Sequence, residues 1–178
     1  MRALVVYESL YGNTHDVAEH IAEGLGRSFD VTLVHVDDAT LELVGQAQLL
    51  VVGGPTHAHG MTSKMSREGA VKDAATKPDL PPLDPDAPGG GLRDWFEGLP
   101  QGHRTPAAAF DTRFDGPSWF TGAASHGIAK RLRRHGFDVV VEPESFLVDK
   151  QTHLLEGEAE RATEWAANLV ERVHSLAG

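Results

Sequence analysis

The chain has 178 residues and carries 26 acidic side chains against 16 lysines and arginines, a formal net charge of −10 with histidine neutral. That balance argues against sequence-independent nucleic-acid binding, which needs basic surface to displace counterions. There is no cysteine, which removes disulfides, thiolate metal sites and cysteine nucleophiles, among them a phosphatase built on a cysteine in a strand-to-helix loop. The remaining composition, 40% hydrophobic and 24% charged, predicts one soluble domain over 1–178 with a core of ordinary size.

Apolar runs alternate with helical periodicity along the chain. RALVVY (2–7) reads as a strand buried on both faces, and 13–25 places Val17, Ala18, Ile21 and Leu25 at helical spacing behind Asn13 or Thr14 as N-cap. A second strand is expected at 29–38, a connector of about one helical turn at 41–46, and a third strand, too apolar to be half exposed, at 47–54. That third run is far too short to span a bilayer. Met1 leads straight into a strand, with no charged region followed by a long apolar one, so a cytoplasmic location without membrane insertion is expected.

A helix follows at about 62–75. The segment KPDLPPLDPDAPGGG (77–91) excludes helix and central strand, because proline lacks a donor and glycine favours turns, and it predicts a long surface loop. Helix resumes in GLRDWFEGL (91–99). A fourth strand at 105–110 precedes a helix at 123–135, and a fifth strand runs over 137–148 with Pro143 marking a break or an edge. The amphipathic end, 154–176, carries a stripe of Ala162, Trp165, Ala166, Leu169, Val173 and Leu176.

Five buried strands alternating with helices imply the α/β class, with a parallel sheet covered on both faces. Ligands of such sheets sit beyond the C-terminal ends of the strands, where the winding reverses. Three loops lie there: 8–14, 53–60 and 111–121. The first suits an anion. Gly12 permits close approach, the helix starting near Asn13 presents N–H groups, and Ser9, Asn13 and Thr14 add side-chain donors. No lysine or arginine lies in SLYGNT, so it is not a nucleoside-triphosphate loop; a terminal phosphate monoester fits better, and an ordinary capped tight turn is the alternative on these residues alone.

The stretch VVYESLYGNTHDVAEHI (5–21) resembles the flavodoxin signature: apolar strand residues and an aromatic, then Ser9, Gly12 and Thr14, with Ala18 and Ile21 on the following helix. The resemblance extends over nearly the whole chain. It implies a three-layer sandwich with a five-stranded parallel sheet of order 2-1-3-4-5, and FMN at the switch point, for which flavodoxin is itself the stock example. By that resemblance Ser9, Leu10, Tyr11, Gly12, Asn13 and Thr14 surround the FMN phosphate.

The second loop, GGPTHAHGM (53–61), is similar to the flavin-flanking loop of the family, in a form nearest the flavodoxin-like NAD(P)H:quinone oxidoreductases. Pro55 and Thr56 would then face the ribityl chain and ring edge, and His57, Ala58, His59 and Gly60 the ring itself. A glycine peptide at Gly60 can turn over and offer a carbonyl to flavin N5–H. His57 and His59 stand where flavodoxins often have a large apolar residue, and a protonated imidazole there would raise the potential. The same pair admits a metal reading, but a third ligand such as His103 or His126 has no fixed geometry and ten histidines give pairs by chance.

The third loop, DTRFDGPSWFTGAAS (111–125), would cover the other ring face, with Asp111, Thr112 and Arg113 at the strand end. Trp119 or Phe114 supplies an aromatic stack, unless Trp119 and Phe120 only anchor the loop. Arg113 either neutralises charge at the pyrimidine edge of the flavin or pairs with Asp111 or Asp115. No general acid–base pair, Ser-His-Asp arrangement or carboxylate dyad stands out, so no catalytic residue is assigned, and no GxGxxG follows a strand.

Three functions follow. The first is an FMN-binding electron carrier between redox partner proteins. The second is an FMN-dependent NAD(P)H:quinone oxidoreductase. The third is a scaffold that keeps the fold without FMN.

Overall fold

In β1 (Arg2–Tyr7) every residue from Ala3 onward is buried, and successive side chains point to opposite faces. Leu4 and Val6 enter one core, while Ala3, Val5 and Tyr7 enter the other. This is why the run is apolar throughout rather than alternating. The same holds for β3 (Leu49–His57), whose Leu50 and Val52 join the first core and Leu49 and Val51 the second. The computed structural model describes residues 1–57, 59–78 and 80–177.

Four longer strands run parallel in the order β2 (Asp30–His35), β1, β3 and β5 (Pro106–Phe114). Beside β5 lie two short pieces, β6 (Asp138–Val139) against Pro106 and Ala107, and β7 (Glu144–Val148) against 110–114. They are the expected fifth strand, interrupted before Pro143, which has no N–H to give the ladder. Taken as one, they complete the order 2-1-3-4-5. A seventh strand, β4 (Gly60–Met61), folds back antiparallel on the end of β3.

Two helical layers cover the sheet. On one face α1 (Asn13–Leu25) and α7 (Glu158–Ala177) bury Val17, Ile21, Ala162, Ala166 and Leu169. They cross closely at Gly24, where a Cβ would lie 2.5 Å from the Thr163 carbonyl oxygen and 2.7 Å from Ala166 Cβ. On the other face α2 (Leu41–Gln46), α4 (Leu92–Gly98) and α6 (Ala124–Arg134) bury Val44, Phe96, Ile128 and Leu132. The remaining helices are α3 (Lys64–Thr76), which starts with a capping box between Ser63 and Ser66, and the single turn α5 (Ser118–Thr121). Among the described residues no helix is long and apolar enough to cross a membrane.

Several boundaries differ from the sequence expectation for physical reasons. The second strand stops at His35, where a 3-10 turn (Val36–Asp38) begins with Asp37 N–H donating to His35 Nδ1. Helix α7 starts at Glu158 rather than near 154, because Leu155 N–H instead donates to the Leu147 carbonyl. Leu176 faces solvent and is not part of the buried stripe. The proline-rich segment does not hang free on the surface: Asp84 and Ala87 are buried.

Candidate functional site

The first turn owes its shape to one glycine. Gly12 is left-handed (φ 88°) and precedes α1 directly, so neither Asn13 nor Thr14 is the cap. Ser9 Oγ accepts the Gly12 N–H at 3.1 Å, and the Gly12 carbonyl accepts Asp16 N–H at 2.9 Å. The Asn13 amide donates to the Thr152 carbonyl at 2.8 Å, and the Thr14 and Thr112 hydroxyls share a hydrogen bond of 2.7 Å. These side chains therefore fasten the turn to its neighbours. The leading N–H groups of α1 have no intrahelical acceptor.

A cleft opens beside this turn, at the C-terminal ends of the central strands. Its walls are Leu10, Tyr11, Asn13 and Thr14 from the first loop, Pro55, Thr56 and His57 from the second, and Thr112, Arg113 and Phe114 from β5. Val148 and Thr152 close it from beyond β7. Next to it lies a wider trough of about 770 Å³, with Thr56, His57, His59, Phe114, Phe120 and Lys150 in its walls.

The second loop is a hairpin in which Thr56 pairs with Met61 and His57 with Gly60. The left-handed residue at its tip is His59 (φ 69°), rather than a glycine. Gly122 (φ 77°) packs against it so closely that a Cβ would come within 2.3 Å of His59 Cα. The Thr56 hydroxyl accepts Ala124 N–H at 2.8 Å, which ties the loop to the start of α6.

Residues 111–114 belong to β5 and pair with β7 instead of forming loop. Asp111 lies wholly buried behind the cleft. Its Oδ2 accepts Ser125 N–H at 2.7 Å, whereas Oδ1 and the Ser125 hydroxyl have no partner. Burial pushes its carboxyl up from the ordinary value, against the opposing pull of the Ser125 N–H. Arg113 donates from one terminal nitrogen to the Gly116 carbonyl (2.6 Å) and the Thr121 hydroxyl (3.1 Å), so it laces up the third loop. Its buried Nε has no partner. Trp119 is 84% exposed and packs edge-on against Phe120, outside both cavities, while Phe114 lines both.

Ten of the residues expected from the sequence thus meet in the cleft, and His59 joins them in the trough. Ser9 and Gly12 shape the turn from behind, Gly60 pairs in the hairpin, and Asp111 and Trp119 stand apart. Ala58 lies outside the described residues. Among the described residues no three His, Asp or Glu side chains are placed to share a metal ion.

Sequence reasoning missed a fourth loop, 149–155, which brings Lys150 and Thr152 to the site. Its position after the last strand was the available signal. It also missed Glu8, which is buried directly before the turn. Glu8 Oε2 accepts Leu92 N–H at 2.9 Å, Oε1 accepts the Thr62 hydroxyl, and the Arg67 guanidinium lies 4.0 Å away. That carboxylate joins the first loop, the exit of the second and α4.

A family model described as Flavodoxin matches residues 5–100. A curated flavodoxin of Aquifex aeolicus (strain VF5) is 45% identical over 69 residues, a match that spans 37% of this chain and 37% of the relative's length. Among solved structures, a flavodoxin from the domain Archaea superposes with a TM-score of 0.64 at 23% identity, covering 98% of this chain and 99% of that one. Oxidised Flavodoxin 2 from Bacillus cereus gives 0.67 at 18% identity, covering 97% and 99%. A flavodoxin, WrbA-like protein from Agrobacterium tumefaciens gives 0.59 at 19%, covering 98% of both. At these identities the structural likenesses speak for the fold alone.

Proposed function

Because the chain belongs to the flavodoxin family, we propose that it is an FMN-binding redox protein that carries electrons between partner proteins. The observation that carries this reading is the turn at 9–14, free of lysine and arginine, at the end of a cleft built by the C-terminal ends of β3 and β5. When bound, FMN supplies the electron-transfer chemistry. The chain's own groups bind, orient and tune.

The donor set fits a phosphate monoester. Of the two hydroxyls at Thr14 and Thr112, one donates to the other, which leaves one hydroxyl hydrogen to give away. Ser9 Oγ accepts from Gly12 and keeps its own hydrogen. With the leading N–H groups of α1, these would hold an anion without a cationic side chain. The orphaned Arg113 Nε in the cleft wall supports a polar occupant there. Phe114 and His57 offer faces for a planar ring, and Thr56, fixed by Ala124 N–H, orients the second loop toward it. The net charge of −10 favours encounter with cationic partners.

One observation favours a second reading, an NAD(P)H:quinone oxidoreductase. The trough beside the cleft is roomy and flanked by Phe114, Phe120 and Lys150, which would suit a second planar ring.

An anaerobic absorbance scan of the FMN-loaded protein, before and after excess NADPH and then NADH, separates the two. A carrier leaves the visible flavin band nearly unchanged by either nucleotide and shows a one-electron stage on stepwise photoreduction. Rapid loss of the band without that stage would favour the oxidoreductase, and quinone turnover would then be measured. Failure to take up FMN at all would remove both readings.

A further inference from the structure

We propose that the proline-rich segment 80–91 is a strap that sets the shape of the anion-gripping turn, with Asp84 as its positioning residue. The proposal rests on the reading of residues 9–14 as the seat of the FMN phosphate. A turn built around a left-handed glycine has no ladder of its own to define it, so its geometry comes from what backs it. Beside the Asn13–Thr152 and Thr14–Thr112 contacts, that backing is the strap.

Asp84 N–H donates to the Leu10 carbonyl at 2.9 Å. Its carboxylate, 1% exposed, places Oδ2 3.3 Å from Nδ1 of His15. Leu10 and His15 bracket Gly12 on either side, so one residue of the strap holds both ends of the turn. His15 is the third residue of α1, and its ring lies flat on Tyr7 at 4.4 Å between centroids, which fixes it against β1. Ala87 then packs with Leu10 and Ala70 in a small cluster of its own, with Tyr11 and Leu83 beside it.

Two further anchors keep the strap down, and both lie at glycines packed close to charged side chains. Gly90 N–H donates to the Asp37 carboxylate at 2.8 and 2.9 Å, and a Cβ on Gly89 or Gly90 would meet that carboxylate at 2.1 or 2.3 Å. A Cβ on Gly91 would fall 1.9 Å from the Arg67 guanidinium, itself 4.0 Å from Glu8. Along the segment, Pro81, Pro82, Pro85 and Pro88 restrict φ and so reduce the freedom that it loses on docking. The segment is built to lie down in one way.

Docking of the strap and grip of the phosphate are then coupled. Whatever the strap adds to phosphate affinity, the phosphate adds to strap docking, by reciprocity of linkage. A ligand that lacks the phosphate makes no use of the strap.

The test compares FMN with riboflavin, which differ only in that phosphate, by fluorescence titration and by amide hydrogen exchange over 84–90. In the wild-type chain FMN should slow exchange at the Asp84, Ala87, Gly89 and Gly90 amides, and riboflavin should leave it unchanged. Asp84→Ala should weaken FMN about tenfold, the scale of one buried hydrogen bond to a charged group, and leave riboflavin within about a factor of two. Wild-type preference for FMN without any change in strap exchange overturns the strap and leaves the phosphate seat standing, as does an equal loss of both ligands in the variant. Equal wild-type affinity for FMN and riboflavin overturns the phosphate seat and the strap with it. Should Asp84→Ala not fold, exchange in the wild-type chain decides alone.

Discussion

Gly12 has open space where a Cβ would go, so a side chain there meets only the cost of its own left-handed backbone. Gly12→Ala should therefore lower stability by about 1–2 kcal/mol, the penalty for an L-residue in that region, as read by denaturant unfolding. Asp111 gives a second prediction, in pH. Burial raises its carboxyl, so the folded chain holds that proton more tightly than the unfolded chain. Above the ordinary value of 3.8 this lowers stability as pH rises through the folded value. Asp111→Asn keeps an oxygen for Ser125 N–H and removes the buried charge. Its melting temperature should exceed that of the wild type at neutral pH, and the gain should shrink toward zero below pH 3.8, where the carboxyl is neutral in both states. A gain that persists undiminished in acid would show that charge is not the cause.

Between elements, the contact of α1 with α7 sets two effects against each other. Glycine to alanine inside a helix ordinarily gains about 1 kcal/mol from propensity. At Gly24 the new methyl would press on the Thr163 carbonyl and on Ala166, and backbone cannot step aside as a flexible side chain can. The overlap wins, and Gly24→Ala should lower the melting temperature. Glu8→Ala should also destabilise, by roughly 1–3 kcal/mol for each buried donor it strands, because the Leu92 N–H and the Thr62 hydroxyl lose their acceptor while Arg67 keeps Asp94 at 2.9 Å.

These examples mark what the sequence could disclose. Strands such as β1 and β3, apolar on both faces, were legible because burial acts on every residue of the run. The turn 9–14 was legible because glycine and a new helix sit together. The extension of β5 to Phe114 was hidden, since TRF is not apolar and its pairing partner β7 lies thirty residues away. Lys150, Thr152, Glu8 and Asp84 were hidden for the same reason. Each acts across a sequence gap that local pattern does not bridge.

At the scale of the molecule, charge is the broadest feature. With a net −10, electron transfer to a small cationic acceptor such as cytochrome c should slow steeply as ionic strength rises, whereas exchange with a neutral quinone should barely change. Stopped-flow rates across a salt series would measure both, and an absence of salt dependence with the cationic acceptor would mean that the acidic surface does not guide encounter.

The packing of α7 on α1 also fixes an order in time. The helix that opens at the turn is covered by residues 158–177, the Thr163 hydroxyl donates to the His20 carbonyl, and Asn13 is tied to Thr152. The front half of the site leaves the ribosome before the residues that fasten it. At about 5–20 residues per second, that wait is on the order of ten seconds. Until then the turn lacks its helical cover, so on the proposed function a nascent chain halted before residue 158 should hold FMN more weakly than the chain that includes α7.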